Sequence, residues 1–128
     1  MKAIAIEGEG RAAKLVLAEA PRPDLRAGEL RIAVAATAVN RADLMQRRGL
    51  YPPPPGASSV LGLECAGTVV EVAGDVRDFA PGDRVMALLS GGGYAAEVCV
   101  DAGSAMRVPA GLSLLEAAAI PEVFLTCH

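Results

Sequence analysis

Cys65, Cys99, Cys127 and His128 are the side chains with most to offer a transition metal, and there are too few of them in the wrong places. A catalytic zinc needs three convergent Cys, His or carboxylate ligands, and a structural zinc usually needs four closely spaced cysteines. Neither set is present, and the adjacent Cys127-His128 pair reads as incidental. Three scattered cysteines, an odd number, suit reduced thiols better than a disulfide framework. Two glycine clusters invite a phosphate. Gly8-Glu9-Gly10-Arg11-Ala12-Ala13 has the loose form of a dinucleotide loop, in which glycines let the backbone approach a pyrophosphate at a helix N-terminus. The required helix is missing, because Leu15-Val16-Leu17 follows and Pro21 and Pro23 arrive within a few positions. A hairpin turn is expected there. Gly91-Gly92-Gly93 offers a nest of backbone amides, but no Lys or Ser/Thr stands at P-loop spacing and a strand-like segment follows, so it reads as a turn.

Two polar residues, Asn40 and Asp43, stand where an alternating segment gives way to a helical one, and asparagine in that place is a good helix N-cap. Glu64 is a carboxylate among apolar neighbours. It either faces a cleft or pairs with Arg84, and the pairing is the expected role.

The elements that must position these groups are mostly strands. Residues 1–7 and 14–19 are short and aliphatic, with glycine between them, and read as two strands around a turn. Pro21 and Pro23 stop regular pairing because proline has no amide to donate. Residues 29–39 alternate through Leu30, Ile32, Val34 and Ala36 and read as a long, half-buried strand. Residues 40–48 read as a short helix ended by Gly49, with Leu44 and Met45 on one side and Arg41, Gln46, Arg47 and Arg48 toward solvent. Pro52 to Pro55 enforce an extended loop. Residues 68–72 are a β-branched strand, and residues 85–89 and 94–100 flank the triple glycine like hairpin arms. Ser113-Leu114-Leu115-Glu116 has the spacing of a capping box. Many short strands with only two brief helices predict a mainly β fold, a small partly closed barrel.

At 128 residues the chain is long enough for one domain and short for two. Its 12 basic and 15 acidic residues give a charge of -3, so no basic field favours nucleic acid or an anionic membrane. No apolar run approaches the roughly 20 residues that span a bilayer, and no signal-peptide core follows Met1-Lys2. A soluble, cytoplasmic protein is expected.

Gly62-Leu63-Glu64-Cys65-Ala66-Gly67, running on to Gly82-Asp83-Arg84-Val85, resembles the signature of the medium-chain dehydrogenase/reductase superfamily. Residues 40–49, Tyr51, the proline run, Gly91-Gly92-Gly93-Tyr94 and the segment Ala117-Ala118-Ala119-Ile120-Pro121-Glu122 narrow the likeness. Together they resemble the zinc-independent NAD(P)H:quinone oxidoreductases, in particular the p53-inducible quinone oxidoreductase subgroup. In that superfamily's zinc enzymes the ligand positions correspond to Asn40 and Leu63 here, neither of which supplies a zinc ligand.

The resemblance implies a GroES-like, partly open β-barrel over residues 1–128, with residues 113–128 leading toward a Rossmann domain that the chain does not contain. It implies hydride transfer from NADPH to a quinone without zinc, in a full-length homodimer, and predicts that this chain alone is inactive. For the site it implies that Asn40 and Asp43 line the cleft, that Tyr51 bonds the quinone oxygen, and that Arg41 and Thr126 contact the cofactor. Bland roles remain open for two of these: Asn40 as a helix cap, and Tyr51 as a surface tyrosine covering apolar residues. Two other functions also remain, a stand-alone binding or assembly module and an enone reductase of the same superfamily. Apolar surface around residues 112–124 is expected to promote association.

Overall fold

The fold is that of a computed structural model describing residues 1–127, so His128 and half of the Cys127-His128 pair lie outside the described residues. Strands β1 (Lys2–Glu7) and β2 (Lys14–Glu19) pair antiparallel from Lys2↔Glu19 to Glu7↔Lys14, around a 3₁₀ turn at Gly10–Ala12. The first glycine cluster is therefore a hairpin turn. Five further strands form one antiparallel sheet: β3 (Glu29–Thr37), β4 (Glu64–Val72), β5 (Arg84–Leu88), β6 (Glu97–Asp101) and β7 (Ala105–Arg107). Their order is β6-β3-β4-β5-β7, and the hairpin hooks onto it where Ala3 bridges Ala95.

Alternation gives this sheet two apolar faces. Leu30 and Ile32 on β3, Cys65 and Val69 on β4, Val85 and Ala87 on β5, and Val98 and Val100 on β6 meet in one core inside the curl. On the other face Ala66 and Met86 pack under helix α2 (Leu114–Ala117), through Ala117 and its C-cap Ala118, and helix α3 (Pro121–Cys127) follows against β4 and β5. The register slips between Val34 and Ala36. Such a bulge re-aims the strand, and Ala36 accordingly joins the helix-covered face although Leu30, Ile32 and Val34 serve the inner one. The mainly β, partly open barrel matches expectation.

Three local expectations are corrected. Residues 85–89 and 94–100 are not hairpin arms, because β5 and β6 lie in different parts of the sheet and do not pair. The triple glycine crosses the barrel end instead, where Gly92 N donates to Val60 O at 2.8 Å and Tyr94 N to Leu61 O at 2.9 Å. Second, there are three short α-helices among the described residues. The Ser113/Glu116 capping box forms, but Pro121 cannot continue α2 and opens α3 in its first turn. Third, the helix α1 (Arg41–Arg47) is turned the other way from its expected orientation. Asp43 and Gln46 are buried, and Leu44 and Met45 are exposed.

The thiols give a direct check on this packing. Cys65 is wholly buried, and burial, with Glu64 adding to it, pushes its thiol up to about 12. Cys127 is exposed and Cys99 half-buried. Reaction with a colorimetric disulfide reagent at pH 8 should therefore show Cys127 reacting fast, Cys99 slowly and Cys65 only after denaturation. A fast phase from Cys65 would contradict the core.

Candidate active site

Asn40 stands at the start of α1 in extended conformation, and its backbone amide donates to Asp43 Oδ2 at 2.9 Å. Here the carboxylate three residues on satisfies one of the amides that every helix start leaves free. The phenol of Tyr94 donates to the same oxygen at 2.8 Å. The bond from Tyr94 holds the Asp43 face of α1 inward, since it is the one of the two that reaches another element. Asp43 is 2% exposed, and its second oxygen has no partner among the described residues.

Asn40 is thus the N-cap of α1, and its side chain also reaches a second carboxylate. Its Nδ2 donates to Glu64 Oε1 at 2.9 Å, while the amide of Glu122 on α3 donates to Glu64 Oε2 at 2.8 Å. Glu64 is 1% exposed and opens β4 on the helix-covered face. Its expected pairing with Arg84 does not occur. The antiparallel register sets Glu64 opposite Leu88 and Thr68 opposite Arg84, at opposite ends of the ladder, and Arg84 donates to Leu112 O instead. Glu64 is held by neutral donors.

Close backbone approach brings Tyr94 into this cluster. Gly62 has φ +109°, and a Cβ there would lie 2.6 Å from both Gly93 Cα and Tyr94 N, so only glycine lets the two segments meet. Tyr94 was not anticipated as a site residue. The signal was present, a tyrosine directly after three glycines, but nothing in one dimension links it to Asp43, 51 positions away. Burial, followed by the bond to Asp43, raises its proton affinity, so the phenol stays a donor. Glu122 was also missed.

The remaining expected residues do not join the cluster. Tyr51 is 49% exposed and makes no side-chain hydrogen bond among the described residues, beside exposed Leu50. Arg41 and Thr126 are exposed on α1 and α3. Arg47, expected in solvent, is half-buried. The arrangement is thus a buried acid network, Asp43 and Glu64 with their donors, carried by a helix whose outer face sets Leu44 and Met45 between exposed Arg41 and Arg48. Among the described residues no group of three His, Cys, Asp or Glu side chains is placed to hold a metal ion.

Glu122 provides a pH test. Desolvation, then the charges of Glu64 and Asp43, raises its carboxyl above the ordinary range. The folded state then binds more protons than the unfolded one just above the usual glutamate pKa, so stability falls as pH rises through that window. Glu122→Gln should melt above wild type at pH 7, with the difference disappearing below about pH 4. Equal melting temperatures at pH 7 would contradict the shift.

Residues 26–110 match the family model of the alcohol dehydrogenase GroES-like domain. The chain is 43% identical over 125 residues to the phenolphthiocerol synthesis polyketide synthase type I Pks15/1 of Mycobacterium bovis, covering 96% of this chain and 6% of that protein. It superposes on the CurK enoyl reductase with a TM-score of 0.85 at 28% identity, covering 98% of this chain and 40% of that one. The Escherichia coli quinone oxidoreductase complexed with NADPH gives a TM-score of 0.79 at 32% identity, over 92% of this chain and 36% of that one. The chain therefore spans well under half the length of each of these proteins. No helix among the described residues is long and apolar enough to cross a membrane.

Proposed function

The chain belongs to the alcohol dehydrogenase GroES-like domain family, and on that premise we propose that it forms the substrate side of a zinc-independent, NADPH-dependent reductase that reduces quinones. The observation that carries this reading is Asn40, held on buried Glu64 at the start of a helix that exposes Leu44 and Met45. With Asn40 and Leu63 where the zinc enzymes of the superfamily carry ligands, no side chain there can activate an alcohol through a metal. The acceptor must then already be electron-poor. A flat conjugated ring suits exposed Leu44 and Met45, and the exposed phenol of Tyr51 is available to bond its oxygen.

Bound NADPH supplies the hydride. Arg41 and Thr126 are exposed and fit contact with it, whereas the phosphate cradle does not lie among the described residues, whose strand pairings are all antiparallel. Tight cofactor binding thus depends on a dinucleotide domain supplied in a longer polypeptide. Such a polypeptide is proposed to act as a homodimer in the cytoplasm.

A second reading, an enoyl reductase acting on conjugated carbonyls, is supported by the similarity to the CurK enoyl reductase. The same hydride chemistry and apolar surface serve both. Calorimetry with NADPH should show no micromolar binding to the 128-residue chain. The chain fused to a dinucleotide domain should oxidise NADPH with quinones, or with enoyl thioesters if the second reading holds. Micromolar binding by the chain alone would overturn the division of labour. Turnover of neither substrate class by the fusion would favour a binding or assembly module.

A further inference from the structure

Glu64 uses its two carboxylate oxygens on two different elements. One takes the Asn40 side-chain amide at the start of α1, and the other takes the Glu122 backbone amide in the first turn of α3. Its own carbonyl accepts from Thr37 Oγ1 at 2.6 Å at the end of β3. Burying a carboxylate without a cation is costly unless its lone pairs are well satisfied, and no lysine or arginine forms an ion pair with Glu64 among the described residues. The donors explain the choice of residue. Pro121 has no amide, so the Glu122 amide is the first in α3 that needs an acceptor outside the helix. An amide nitrogen of Asn40 committed to Glu64 also fixes which way that amide faces.

We infer that Glu64 is a positioning residue that ties the Asn40 amide to α3, so that the acceptor-facing end of α1 and the last helix hold one relative position. The acceptor at that end of α1 rests on the function proposed above, whereas the tie does not. Glutamine cannot replace the carboxylate fully, because its NH₂ end meets a donor and only its oxygen can accept.

The test is amide NMR on the whole 128-residue chain. Asn40→Ala should move the Glu122 amide resonance in the wild-type background and leave it in place in a Glu64→Gln background. Glu64→Gln should also speed exchange of the Glu122 amide about tenfold. If Asn40→Ala leaves the Glu122 amide unmoved in the wild-type background, the tie is overturned. It is equally overturned if Glu64→Gln lowers the melting temperature but alters neither the Asn40 side-chain nor the Glu122 signals. Should Glu64→Gln fail to fold, Asn40→Ala in the wild-type background alone decides. Titration with menadione separates the two readings. Joint shifts of Asn40 and Glu122 support both, while no shift with menadione, alongside coupled variants, leaves the tie standing and passes the quinone assignment to turnover by the fusion.

Discussion

Gly67→Ala is expected to lower the melting temperature by about 10 °C or more, from a single added methyl group. Gly67 faces Val34 across the β3–β4 ladder at the edge of the bulge. A Cβ there would collide with the Ala33 carbonyl oxygen and lie 2.8 Å from Ile32 Cγ2 and 2.9 Å from Ala33 C. Side chains can swing away from an added group, but backbone in the centre of a sheet cannot. Overpacking costs about 1–3 kcal/mol and more when backbone must shift, and in a domain of this size 1 kcal/mol moves the midpoint by about 4 °C. Gly74→Ala is the control, since nothing lies within 4 Å of its Cβ position. Thermal melts showing equal midpoints for the two variants would contradict the close approach of β3 and β4.

Glu64→Ala is expected to cost about 2–4 kcal/mol, measured by urea titration. Each hydrogen bond to a charged group contributes about 1.5–3 kcal/mol, and the substitution strands two donors, Asn40 Nδ2 and the Glu122 amide. Relief of the carboxylate's own desolvation offsets part of that loss. Glu64→Gln should fall between alanine and wild type, because one of the two donors keeps an acceptor. An alanine variant as stable as wild type would show that the network adds nothing to the fold.

Much of the barrel was legible because strands write themselves in period two. Leu30, Ile32 and Val34 alternate and serve the inner core as read, and the Gly8–Gly10 turn joins its neighbours as read. The helix α1 was misread for a physical reason. Apolar periodicity assigns the buried face only when apolar contact is the strongest interaction available, and here Asp43 found two hydrogen-bond donors inside. The triple glycine was likewise read as a local turn, although its amides bond residues 60–62 across the barrel end.

Some chemistry was determined by the sequence alone: a first glycine cluster that opens no helix, Asn40 and Asp43 at a helix start, and a Gly-rich signature around Glu64. Those are statements about residue types and short spacings, which local chemistry controls. Only the tertiary structure decided what each group does. Glu64 turned from Arg84 to Asn40 and Glu122, Tyr94 became the partner of Asp43, and Leu44 and Met45 came to the surface. The reason is that a buried polar atom takes whatever partner the packed chain brings within 3 Å, and antiparallel register and a bulge, not sequence distance, set which partner that is.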